Sequence, residues 1–192
     1  AIFGLGNVAV DMARVLLRSA SEGALPATDI AEHALEALRG STVRRVYIIA
    51  RRGAAQAACT PKELKELLNL PGVKVVIREE DLALTDAEEA ELAAGPRVKR
   101  RVVEELRKAA ARTAAAANGA AEETPKELHM LFCRGPEEFR AEGNATGQVR
   151  TVRLQKNKVV EGRAVGTGEF EEIDAGLVVC SIGYRGVPVE GA

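Results

Sequence analysis

Large aromatic surface is almost missing from this chain. Tryptophan is absent, and two tyrosines and four phenylalanines make up the 3% aromatic fraction of its 192 residues. Proteins that stack single-stranded bases need such rings, so nucleic acid is not an expected partner. Charge of one sign is missing too. There are 27 Lys and Arg against 28 Asp and Glu, where a nucleic-acid binder shows a basic excess. The three cysteines, Cys59, Cys133 and Cys180, are far apart and form no CxxC pair. That supports neither a disulfide framework nor a zinc site, and it suits a reducing compartment. No apolar run approaches the ~20 residues of a membrane span, so the chain is not expected to be transmembrane. It has no initiator Met and no signal segment, so any targeting peptide would lie outside it.

What is present is alanine, 33 residues of it, which makes the 46% apolar fraction overstate the packing volume. A core of Val, Ile, Leu and Ala suits a sheet layered with close-packed helices. The pattern predicts helices over Asn7 to about Ser19 and, capped by Thr28-Asp29, to about Arg39. It predicts further helices from Thr60-Pro61 to Leu70, over 85–94, and from Arg97 to about Ala117. Strands are expected at Val43–Ala50, Val73–Ile77, His129–Cys133, and at about 149–157, 169–173 and 177–182. The first half alternates strand and helix, and the second is a run of antiparallel-looking strands. The expected fold class is α/β: a Rossmann-like parallel sheet with flanking helices and an added antiparallel β-meander. Only Ala1-Ile2-Phe3 precede the first glycines, and a strand-like 176–183 ends near the last residue. Both ends therefore read as cuts through a larger protein.

One motif carries chemistry. Gly4-Leu-Gly6-Asn7-Val8-Ala9 fits GxGxxA between a strand and a helix. Gly4 permits a tight turn, Gly6 lets the backbone approach a pyrophosphate, and Ala9 lets helix and strand pack closely. The helix N-terminus then offers free N–H groups and positive potential to phosphates. The plainer reading is a strand–turn–helix with glycines for steric reasons. Asp29 stands at the count where such sites place a ribose-binding acid, but it reads as a helix cap. The end of the second long strand carries Arg51-Arg52 and no acid. Guanidinium groups there would pair with a 2′-phosphate, which predicts NADP(H) over NAD(H). The alternative is two solvated loop arginines.

Gly4 to Arg14 resembles the second dinucleotide motif of adrenodoxin reductase and the related ferredoxin–NADP reductases of the glutathione-reductase-like flavoproteins. Further stretches match in order: Thr28-Asp29-Ile30, Ala34 to Leu38, Arg51-Arg52-Gly53, Gln56, Thr60 with Lys62 to Leu67, and Ser181 to Tyr184. The resemblance implies an NADP(H)-binding domain, residues 1–182, inserted in an FAD domain to which 183–192 begin the return. Gly4, Gly6, Asn7, Val8 and Ala9 match the pyrophosphate loop, and Arg51 and Arg52 the 2′-phosphate arginines. Glu63 matches an acidic residue beside the nicotinamide, catalytic in hydride transfer to flavin; the alternative is a capping box with Thr60. The implied activity is that of an NADPH:ferredoxin or adrenodoxin oxidoreductase, in the mitochondrial matrix of a eukaryote or the bacterial cytoplasm. The fragment alone is expected to be inactive. Cys59 and Ala54 depart from the Phe and Pro usual in the family, and Cys59 reads as a buried thiol.

Arg97, Lys99, Arg100 and Arg101 open the long helix against its dipole. By the resemblance this patch docks an acidic iron–sulfur protein; otherwise it is a solvated face. The pyridine-nucleotide domain of a glutamate-synthase small-subunit-like flavoprotein, or a non-catalytic NADP(H) sensor, are the alternative functions. The Ala-rich 109–123 stretch is expected to be a surface excursion, and His33, His129 and the Asn144–Thr146 sequon carry no assigned role.

Overall fold

Two sheets face each other in the computed structural model, which describes residues 1–18, 25–116, 126–141, 147–184 and 186–187. The elements are β1 (Ile2–Phe3), α1 (Asn7–Leu17), α2 (Glu32–Arg39), β2 (Arg45–Ile49), α3 (Pro61–Leu68), β3 (Val73–Ile77), α4 (Asp86–Ala94), α5 (Arg97–Ala116), β4 (Lys126–Leu131), β5 (Arg134–Ala141), β6 (Val149–Val160), β7 (Arg163–Asp174) and β8 (Val179–Cys180). The five-stranded sheet has the order β3-β4-β2-β1-β8 and is parallel throughout. The second sheet, β5-β6-β7, is antiparallel. The α/β class with an added meander is therefore what the chain adopts.

Period-two alternation sorts the core. Ile2, Val46, Ile48, Leu128 and Met130 point to the face covered by Ala9, Val10 and Ala13 of α1, Leu64 and Leu67 of α3, and Val102 and Leu106 of α5. Phe3, Ile49 and Leu131, each one residue out of phase, meet Val152 and Leu154 of β6 on the other face. The result is three layers, helices, parallel sheet and meander. Among the described residues its largest fully buried side chain is Phe132, an aromatic in a core otherwise built mostly of aliphatic residues.

A charge network joins the layers. Arg134 Nε donates to Glu171 at 2.8 Å, Arg78 Nε donates to Asp81 at 2.9 Å, and Arg78 also reaches Glu171 at 3.4 Å. Arg134 lies 3.4 Å from Asp81, and both side chains are almost fully buried. Two cations and two anions cancel there, which is the condition for keeping such groups inside. Beside the network a cavity of about 240 Å³ opens between the sheets, lined by Tyr47, Arg78, His129 and Glu171.

Four expectations are corrected. The second helix does not start at Thr28-Asp29: Thr28 Oγ1 donates to Leu25 O at 2.7 Å to close a turn, and α2 begins at Glu32 without a side-chain cap. Thr and Asp serve turns as readily as caps, so that signal was ambiguous. Exposed Asp29 is accordingly no cap. The strand expected at His129–Cys133 runs earlier, and Cys133 sits at a corner with φ +52°. β5 was not expected, because Pro136 and its charged neighbours look unlike a strand. It lies at the sheet edge, where Pro and charge are tolerated. The 177–182 segment is not a meander strand, since Val179 and Cys180 pair parallel with β1 in the main sheet. The Asn144–Thr146 sequon and residues 117–123 of the Ala-rich stretch lie outside the described residues.

Candidate functional site

The carboxyl ends of β1 and β2 lie side by side in the parallel sheet. Gly4 follows β1 directly. Its N–H donates to Ile49 O at 2.9 Å, and Ser181 N donates to Phe3 O at 2.7 Å. Gly4 has φ +122°, and a Cβ on it would stand 2.0 Å from Ser181 O. A glycine is required there twice over, by conformation and by the approach of the β8 backbone. Gly6 is the N-cap of α1 with no side-chain cap, and a Cβ on it would meet nothing within 4 Å. The first turn of α1 holds no acidic residue. Its leading N–H groups and its positive end are therefore left free beside an open backbone, the arrangement that receives an anion. Ala9 is fully buried against the sheet, as expected for the last motif position.

A second helix N-terminus is tied to this loop. Asn7 Oδ1 accepts from Thr60 N at 2.8 Å, and Ala58 N donates to Leu5 O at 3.0 Å. Thr60 Oγ1 accepts from Glu63 N at 3.4 Å, and Pro61 follows at N1, so Thr60 is the N-cap of α3. The capping-box alternative for Glu63 is only half correct. Its carboxylate does not return to Thr60 N, which Asn7 already satisfies, but accepts from Arg14 Nη2 at 2.8 Å. Arg14, whose side chain is 15% exposed, also binds Asp11 and Glu66. The reciprocal box forms elsewhere, between Thr85 and Glu88 at the start of α4.

Arg51 and Arg52 leave the end of β2 next to the Gly4 turn. Cys133 N donates to Arg52 O at 3.1 Å, and Asn157 Nδ2 donates to Arg51 O at 3.1 Å. Arg52 Nη1 donates to Gly162 O at 3.4 Å. Among the described residues no carboxylate pairs with either guanidinium, and exposed Arg51 offers all its side-chain donors to solvent. Cys59 is buried, and burial pushes its thiol up to about 11, which keeps it protonated and unreactive at neutral pH. No cluster of three or more His, Cys, Asp or Glu able to hold a metal occurs among the described residues.

The geometry matches known proteins over nearly its whole length. The chain is 46% identical over 195 residues to an NADPH:adrenodoxin oxidoreductase, mitochondrial, of Arabidopsis thaliana, covering 99% of the chain and 39% of that protein. It is 40% identical over 200 residues to the NADPH-ferredoxin reductase FprA of Mycobacterium tuberculosis, covering 99% of the chain and 40% of that protein. The solved structure of M. tuberculosis FprA in complex with NADPH superposes with a TM-score of 0.81 at 38% identity, over 99% of the chain and 40% of FprA. This is a domain of the adrenodoxin-reductase type. The chain spans about two fifths of the length of the relatives it matches, and no protein-family model matches it.

In this adrenodoxin-reductase-type domain the fold gathers the glycine loop, Arg51-Arg52 and Glu63, the candidates from the sequence, at one end of the sheet. Sequence reasoning missed Arg14 as the partner of Glu63, and it missed Asn157 and Gly162, which hold the arginine loop. A helical partner of Glu63 has no local signature when it comes from another helix. Asn157 stands 106 residues from Arg51, so no spacing rule connects them. The α5 basic cluster divides in two. Arg100 Nη1 donates to Ala93 O at 2.7 Å and to Gly95 O at 3.3 Å, closing the C-terminus of α4, and Lys99 pairs with Glu91 at 3.4 Å. Arg97 and Arg101 remain exposed.

Proposed function

We propose that the chain is the NADP(H)-binding domain of an FAD-containing NADPH:ferredoxin or adrenodoxin oxidoreductase. One observation carries this reading: the uncapped, acid-free N-terminus of α1 lies at the end of β1, beside Arg51-Arg52 at the end of neighbouring β2. The residues fit the nucleotide. Gly4, Gly6, Asn7, Val8 and Ala9 form the cradle for the pyrophosphate, and the open side of Gly6 is where a Cβ would otherwise stand. Arg51 and Arg52 receive the 2′-phosphate by charge-assisted hydrogen bonds. Glu63, bonded to Arg14, lines the nicotinamide end and orients it. When bound, NADPH supplies the hydride that reduces FAD on a separate domain, and an iron–sulfur protein then takes electrons one at a time. Residues 1–182 make the nucleotide domain and 183–192 begin the return to the flavin domain, so this chain alone is inactive as a reductase. Exposed Arg97 and Arg101, with Lys99 and Arg100 already engaged, face the acidic iron–sulfur carrier. A eukaryotic member works in the mitochondrial matrix and a bacterial one in the cytoplasm.

Calorimetric titration of the chain with NADPH and NADH tests the central assignment. NADPH is expected to bind more tightly, by roughly 1.5–3 kcal/mol for each charge-assisted bond kept. Equal affinities would refute the arginine assignment. Charge reversal at Arg97 and Arg101 in the complete enzyme tests the docking face: unchanged electron transfer to ferredoxin at low salt would reject it.

A further inference from the structure

We infer that Asn157, on the second sheet, is a positioning residue for nucleotide selectivity. It fixes the Arg51-Arg52 loop that the proposed function assigns to the 2′-phosphate, and the inference rests on that assignment.

The long β6–β7 hairpin changes character halfway along. From Val152↔Ile173 to Gln155↔Phe170 it pairs regularly over the main sheet. Between Gln155↔Phe170 and Asn157↔Gly166 the register shifts, with Thr167, Gly168 and Glu169 of β7 opposite the single Lys156 of β6. Gly168 supplies φ +81°, and Thr167 Oγ1 donates to Lys156 O at 2.9 Å to hold the interruption. Such interruptions bend a hairpin and re-aim its side chains. Asn157 is the first paired residue past this one. Its backbone N–H donates to Cys133 O at 2.8 Å, and its side-chain amide donates to Arg51 O at 3.1 Å. Gly135 leaves room for that amide, since a Cβ there would stand 3.2 Å from Nδ2. The hairpin then turns through Glu161 and Gly162, both with positive φ, and Gly162 O accepts from Arg52 at 3.4 Å. On the opposite side Cys133 N donates to Arg52 O.

The carbonyls of both arginines are thus taken, one by the hairpin and one by the β4–β5 corner. Their backbones are held while Arg51 keeps its guanidinium unpaired among the described residues. A phosphate clamp gains affinity from this arrangement because the loop need not be ordered at the moment of binding. Within the proposed nucleotide site Asn157 bonds the backbone of Arg51, and it acts through that residue.

Three variants of the chain, Asn157→Ala, Arg51→Ala and the double variant, titrated with NADPH and NADH, test the inference. Losing one hydrogen bond of this kind corresponds to a fall of about three- to tenfold in NADPH affinity. NADH affinity should stay the same, and the double variant should bind NADPH no more weakly than Arg51→Ala alone, as expected of two residues acting as one unit. Gly135→Ala, which crowds the same amide without removing any side chain of the hairpin, should reproduce the selective loss. An equal loss of NADPH and NADH binding, an additive double variant, or no change at all would overturn the positioning role. A parent chain with equal affinity for both nucleotides would instead overturn the 2′-phosphate assignment, and this inference with it.

Discussion

Gly4→Ala should cost more stability than any other single methyl added to this site. Two independent penalties converge there. The backbone has φ +122°, a region that L side chains rarely adopt, worth about 1–3 kcal/mol of strain. The new Cβ would also stand 2.0 Å from Ser181 O and 2.7 Å from the same carbonyl carbon. These are backbone atoms of the strand whose Ser181 N–H bonds Phe3 O, so no side-chain rotation relieves the clash. Separating β1 from β8 there adds an overpacking cost of about 1–3 kcal/mol. Together they predict a loss of roughly 2–6 kcal/mol. For a urea dependence of about 2 kcal/mol/M the unfolding midpoint should drop by about 1–3 M. Gly6→Ala is the internal control, because its added Cβ meets nothing within 4 Å and its φ is −105°. It should unfold within about 0.5 kcal/mol of the parent and yet bind NADPH more weakly, since the methyl occupies the open side of the proposed phosphate cradle. Urea unfolding followed by circular dichroism decides both. A Gly4→Ala midpoint equal to that of Gly6→Ala would refute the close-approach argument.

Other outcomes follow from the same contacts. Arg14→Ala leaves Asp11, Glu63 and Glu66 without their shared cation; it should cost about 1–2 kcal/mol, less at high salt, by urea unfolding at two ionic strengths. In the interlayer network, burial works to raise the Glu171 carboxyl, but the guanidiniums of Arg78 and Arg134 outweigh it and hold it below the ordinary range. Its stabilising share is present above the unfolded carboxylate value and lost as pH falls through the folded one. Asp81, raised by burial, has the opposite slope. Stability curves of the parent and Glu171→Gln should therefore be separated at neutral pH and converge below about pH 4, and a constant separation would contradict the pairing. With Cys59 buried and its thiol near 11, a thiol reagent at pH 8 should label exposed Cys180 quickly and Cys59 only on unfolding, as peptide mapping would show.

How much was legible in the sequence depends on how local each signal is. GxGxxA, the Thr60-Pro61 helix start and the strand around Val46–Ile49 are complete within a few residues, and all three stand where expected. β5 failed because an edge strand can carry Pro136 and four charged residues and still pair along one side. β8 failed differently. Its apolar run reads as a buried strand, but Leu177, Cys180 and Ile182 are exposed and Val179 is only half-buried; its partner, β1, lies at the other end of the chain, and nothing within 177–182 separates a parallel neighbour from one more meander strand. Glu63 shows the limit for side chains. Its spacing from Thr60 fits a cap, and Thr60 does cap Glu63 N, but the carboxylate goes to Arg14, which belongs to another helix.

The near-zero net charge is the most misleading number in the sequence, because it treats all cations alike. The α5 cluster places four basic residues in five positions, opposing a helix dipole. The structure removes most of that tension internally. α4, with Asp86, Glu88, Glu89 and Glu91, runs up to the start of α5. Arg100 satisfies its terminal carbonyls, Lys99 pairs with Glu91, and Arg107 pairs with Glu89 at 3.3 Å. Of the cluster itself, only Arg97 and Arg101 then remain exposed to meet a partner. Arg51-Arg52 is only two residues, yet both carbonyls are bonded to distant parts of the chain and neither guanidinium meets a carboxylate among the described residues. Fixing the backbone under a cation while leaving its head unpaired makes sense when an anion arrives from solvent. By that criterion the meander belongs to the proposed nucleotide site: its hairpin holds the loop that the parallel sheet only delivers.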